Sequence, residues 1–134
     1  MIAELRSAIE TLGLTVTGLS ANNFFFDKAP EGTVYPLVIY SEIASTHSWD
    51  SVNTYDETFF QFDIRNAGKE TELDAAEVIE AAIMAKFDFT TSLSVSGYNV
   101  VICSRQGTPK KTRFPDSDIW QILIEYRVQL SKGR

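Results

Sequence analysis

SDIWQILIEYRVQLS, Ser117 to Ser131, carries the alternation that decides the fold: Trp120, Ile122, Ile124, Tyr126, Val128 and Leu130 all share one face. A period of two is the signature of a β-strand with one side on a core. The run stands at the upper end of the usual strand length of ~3 to 10 residues, so the strand is expected to project past that core. Residues 92–105 supply a second long strand, and RQGTPKKTRFPDSD (residues 105–118) joins the two, which gives the chain a long C-terminal β-hairpin.

Upstream, TFFQFDIR (residues 58–65) alternates in the same way, with Phe60, Phe62 and Ile64 on one side and Gln61, Asp63 and Arg65 on the other. Between these strands lies a helix over residues 70–87. Leu73, Ala76, Ile79 or Glu80, Ile83 and Phe87 fall on one side of it, and Thr71 with Asp74 three residues later resembles a capping pair. Ile2, Leu5, Ile9 and Leu12 predict a first amphipathic helix that stops at Gly13. Phe24 to Phe26 make a short strand, DKAPEGT a turn, and Pro36 opens another strand at the position where a missing N–H is tolerated. THSWDSVNT (residues 46–54) is polar and turn-rich and is expected to be a loop. The order αβββαββ predicts an α+β fold, a mostly antiparallel sheet packed by two helices. Residues 1–134 form a single domain in this reading, with no internal repeat and no dividing linker.

Composition agrees with a soluble globular chain: 134 residues, 44% hydrophobic, 22% charged. No apolar run approaches the ~20 residues that span a bilayer, and MIAELRSAIE has acids where a signal peptide has bases, so the chain reads as cytosolic, with no membrane partner. Cys103 is the single cysteine, and its VVI flank predicts an inert thiol packed on a strand. Charge is uneven. The formal net charge is -6, but residues 1–104 sum to -10 and residues 105–134 to +4. Such a split bears on partners and association.

Catalytic chemistry finds little support. His47, Ser48 and Asp50 have the residue types of a nucleophilic triad, but those groups normally come from separate segments of chain. One histidine and one cysteine cannot assemble a zinc site or a two-histidine iron site, and Asp50, Asp116 and Asp118 match no cation-binding loop spacing. Glu70, Glu72, Asp74, Glu77 and Glu80 read as the wet side of the second helix, and Gly97 and Gly107 stand alone, outside any phosphate loop. No catalytic residue, cofactor or metal is expected, and the chain is not expected to be an enzyme.

The candidates for function are partner-binding residues. Arg105, Lys110, Lys111 and Arg113 concentrate positive charge in an acidic chain, and three readings compete for them: a solvated hairpin tip, a protein partner, or nucleic acid. Phosphate binding needs a basic surface several charges wide, which the acidic remainder would oppose. An acidic partner fits better, and a second copy of the chain offers one. His47 and Trp49 join the candidates because tryptophan is enriched at contact centres.

APEGTVYPLVIYSEI, FFQFDIRN, the acidic helix ELDAAEVIEAAI and the two long strands ending in IEYRVQL together resemble the tail-completion or tail-terminator proteins of tailed bacteriophages, over residues 1 to about 131. The resemblance implies a small α+β virion subunit, assembled in the host cytoplasm, that forms a ring, usually a hexamer. That ring would cap the tail tube, dock to the neck and let DNA pass through its channel without specific binding. Its implied partners are further copies of itself, the tail tube protein and the neck or connector protein. A head-tail connector or neck ring, a protein-binding module outside viruses, and a small enzyme are the alternatives. The PKKTRFPDSD segment matches no shared feature of the family.

Overall fold

The computed structural model describes residues 1–19, 23–88 and 93–133. Along these residues run α1 (Ala3–Gly13), β1 (Phe24–Phe26), β2 (Leu37–Trp49), β3 (Asn53–Ala67), α2 (Glu70–Phe87), β4 (Asn99–Phe114) and β5 (Ile119–Gly133). This is the α+β order αβββαββ that the periodicities predict. The strands form one sheet in the order β1-β2-β3-β5-β4, parallel between β1 and β2 and antiparallel elsewhere.

Register explains the core. Phe60, Phe62 and Ile64 of β3 stand opposite Tyr126, Ile124 and Ile122 of β5, and all six are fully buried. Ala76, Ile79, Ile83 and Phe87 bring the apolar stripe of α2 onto this face, with the Phe62 and Phe87 rings 4.7 Å apart. Leu5 and Ile9 of α1 reach the same core beside Phe24 and Tyr40. Each such side chain contributes about 1.5–3 kcal/mol on full burial, which is why the alternation in β3 and β5 dictates which face the helices cover. The opposite face carries no helix among the described residues. There Arg65 and Gln121 donate to Asp63 Oδ2 at 2.9 and 3.1 Å, and Asp63 Oδ1 has no partner among the described residues.

Several boundaries differ from expectation. Residues 46–54 are not a loop: β2 runs through to Trp49, β3 starts at Asn53, and the turn is only residues 50–52. Asp50 makes that tight turn by accepting the Val52 and Asn53 N–H groups at 2.8 and 2.6 Å. The strand expected over 92–105 instead spans Asn99–Phe114. Leu93 and Val95 are buried without joining a ladder, Gly97 turns at φ 80°, and residue 92 lies outside the described residues. β2 begins one residue after Pro36, which follows a cis peptide bond. The Thr71 cap does not form. α2 starts after Lys69 with no side-chain cap, and Asn66 Nδ2 holds its first turn by donating to the Glu72 carbonyl at 2.8 Å.

Candidate partner interface

Ten of the fourteen residues of RQGTPKKTRFPDSD belong to β4, leaving residues 115–118 as the turn. The expected basic loop is therefore mostly a basic strand. Gly107, Thr108 and Pro109 read as turn residues, but the sheet absorbs them as an irregularity between Gln106 and Lys110, the kind of position where proline's missing donor is harmless.

Alternation then divides the four cations. Arg105, Lys111 and Arg113 stand opposite Tyr126, Ile122 and Trp120, on the helix-covered side. Lys111 Nζ meets Glu77 of α2 at 2.9 Å and Glu80 at 3.5 Å, and the Glu77 hydrogen bond holds the ammonium above its ordinary pKa. Arg113 donates to Asp118 at 2.9 Å and to the Gly68 carbonyl at 3.1 Å. Arg105 lies 3.8 Å from Asp88 and also contacts the Met84 sulfur. Lys110 faces the other way, into a recess of about 230 Å³ shared with Gln61, Gln106, Leu123 and Glu125, and makes no ion pair among the described residues. Three of the four cations thus tie β4 to α2, to the residue after it and to the hairpin's own turn, a role that a count of charges cannot reveal.

Trp49 and His47 sit on the outer arm of the β2–β3 hairpin, beyond the core. Trp49 is 64% exposed and Val52 at the tip 65%. The His47 and Trp49 ring centroids are 5.9 Å apart, and His47 Nδ1 lies 2.8 Å from Asp56 Oδ1 on β3. Ser48 intervenes between them and so faces the other side of the arm, away from His47. Asp50 is engaged in the turn, where Tyr55 also donates to it at 3.1 Å. Among the described residues no three His, Cys, Asp or Glu side chains are placed to hold a metal ion.

Other titratable groups serve packing. Cys103 is buried, donates to the Phe87 carbonyl at 3.2 Å, and burial with the nearby Asp88 carboxylate pushes its thiol up to about 12. Tyr40 and Tyr126 are raised well above the ordinary phenol value, first by burial and then by donating at 2.6 Å to Glu10 and Asp88 respectively. Glu42 is lowered, chiefly by the Met1 amino group 2.6 Å away and by Ser45.

Sequence reasoning missed the backbone. β1 covers β2 only at Val38–Tyr40, so among the described residues neither Ser41–Trp49 nor any part of β4 has a strand on its outer side. The available signal was compositional: Ser41–Trp49 contains no lysine and no proline, the residues that commonly blunt exposed edges.

The chain is thus an α+β fold with two long hairpins and two sheet edges that no strand covers among the described residues. No family model matches the chain, and no curated protein matches it. Among solved structures it is similar to a chain described as part of the "virion of native gene transfer agent (GTA) particle", with a TM-score of 0.63 and 14% identity over 97% of this chain and 99% of that one. At that identity the likeness is one of fold.

Proposed function

We propose that the chain is a structural protein of a phage-like virion, a tail-terminator ring that closes the head-proximal end of the tail tube and joins it to the neck. The observation that carries this reading is the fold likeness to a gene transfer agent virion chain, which runs end to end through both molecules. The resemblance of APEGTVYPLVIYSEI and the following segments to tail-completion proteins supports a place in the tail. In this reading the ring is a homohexamer, its partners are the tail tube protein and the neck protein, and DNA passes through it without specific contacts. His47, Trp49, Arg105, Lys110, Lys111 and Arg113 are the proposed contact residues. Head-to-tail rings need two unlike surfaces that meet on rotation, and an acidic arm and a basic strand on one subunit are unlike in that way.

Removal of the gene from a particle-producing cell tests the reading. Tails are expected to be irregular in length and detached from heads, with restoration by the gene supplied in trans. Tails of normal length joined to filled heads in the absence of the chain would overturn it.

A further inference from the structure

The two open edges lie at the same height in the sheet. Followed through the ladder, Arg105 of β4 is opposite Tyr126, Tyr126 is opposite Phe60, and Phe60 is opposite Glu42 of β2. In the same way Gln106 is level with Ser41, and Asn99 is level with Ser48. The bare stretch of β2 and the first half of β4 therefore span the same rungs, at opposite sides of the molecule. β2 and β4 also run antiparallel to one another across the sheet, because each of the three intervening pairings is antiparallel.

The remainder of the β2 edge is covered by β1, and the matching remainder of β4 lies at the same height. Lys111 is level with Val38 through Ile122 and Ile64, and Val38 is already occupied by Phe24 of β1. This half of β4 holds Pro109, Lys110, Lys111 and Arg113, residues that discourage edge pairing. The half from Asn99 to Ser104 has no lysine, arginine or proline and exposes Val101.

We propose that Ser41–Trp49 of one copy pairs antiparallel with Asn99–Gln106 of the next copy, with no shift along the strands, so that the sheet continues from subunit to subunit. The proposal rests on the reading of the chain as a self-assembling subunit, and it adds which surfaces meet and in what register. Main-chain hydrogen bonds supply the contact, as in strand addition generally. Charge chooses the occupant. The β2–β3 arm carries Glu42, Asp50, Asp56 and Glu57, whereas the paired half of β4, Asn99–Gln106, carries Arg105 and no acid. β2 against β2 of a second copy would bring like arms together, while β2 against β4 places Glu42 beside Arg105 of the neighbour, both on the helix-covered side of the sheet.

The register is testable with paired cysteines. Ser104 is level with Ala44 through Arg127 and Phe59, on the face free of helices. In a Cys103→Ala background, Ala44→Cys with Ser104→Cys is expected to give a ladder of covalent multimers on mild oxidation, and neither single variant is expected to crosslink. Light scattering of the same preparation reports whether it assembles. An oligomer in which the double variant does not crosslink overturns this pairing and leaves the ring reading standing; a strictly monomeric chain overturns both. Dimers from Ala44→Cys alone would mean β2–β2 pairing and overturn the proposal. Hydrogen exchange on the unaltered protein provides a second arm. Alternate amides in residues 41–49 and 99–106 are expected to slow on assembly while residues 110–114 do not change, and equal slowing along all of β4 would contradict the register.

Discussion

Gly13 shows how a residue can be readable for one reason and required for another. The sequence marks it as the end of α1, and it is indeed that helix's last residue, but it is also the position where a Cβ would run into the Phe24 ring. Gly13→Ala must push Phe24 off Tyr40, against which it stacks at 5.1 Å. Overpacking of this kind costs about 1–3 kcal/mol, so thermal unfolding of Gly13→Ala is expected several degrees below that of the parent, and an unchanged Tm would contradict the packing described. Tyr40 gives the pH counterpart. Its folded pKa is raised above the unfolded value of about 10, so the protonated phenol favours the folded state. The sign follows directly: this stability is fully present below about pH 10 and is lost as pH rises beyond it, because the unfolded chain gives up the proton first. Denaturant midpoints should therefore fall above pH 10, and Tyr40→Phe should flatten that fall in proportion to its share beside Tyr126. Of the two tyrosines, only the burial of Tyr126 was legible from alternation. Their carboxylate partners Glu10 and Asp88 were not, because they lie 30 and 38 residues away in sequence.

Among elements, β3, α2 and β5 were legible because each has a regular apolar period set by the core. The outer arm of β2 was not. Beyond Tyr40 it leaves the core, every residue from Glu42 to Trp49 is exposed, and a strand with no buried face has no period to read. Its tip is held by the Asp50 side chain, so THSWDSVNT is a hairpin built from turn-forming residues. Trp49→Ala should consequently leave stability within about 0.5 kcal/mol, as for surface changes generally, yet weaken association of the chain with its partner. Equal loss of Tm and association would assign Trp49 to packing. β4 misled in the opposite sense, because Gly107, Pro109 and the lysines suggest a loop where an irregular strand runs. Lys111→Ser is expected to cost at most a few tenths of a kcal/mol, since Lys111 and Glu77 are both about 40% exposed and such pairs are worth ~0.2–1 kcal/mol before screening. A loss of several kcal/mol on urea unfolding would show that the α2–β4 contact matters more than its exposure implies.

At the scale of the whole molecule, the candidate residues were flagged by composition but their arrangement was hidden. The levelling of Arg105 with Glu42 passes through Tyr126 and Phe60 on two intervening strands, and non-local pairing of that sort leaves no trace in a local window. The charge split, by contrast, was visible at once and retains its consequence. Exposed opposite charges steer encounter more than they hold a complex, so assembly of this chain should quicken at low salt and slow at high salt. Stopped-flow scattering across ionic strength checks this, and a salt-independent rate would remove charge from the account. The central claim is that the chain is a virion ring at one end of a tail tube. Labelling the chain with gold on isolated tails, and locating the label by electron microscopy, tests it most directly: label is predicted at the head-proximal end of each tube and nowhere else, whereas label scattered along the tube, or absent from tails altogether, would contradict it.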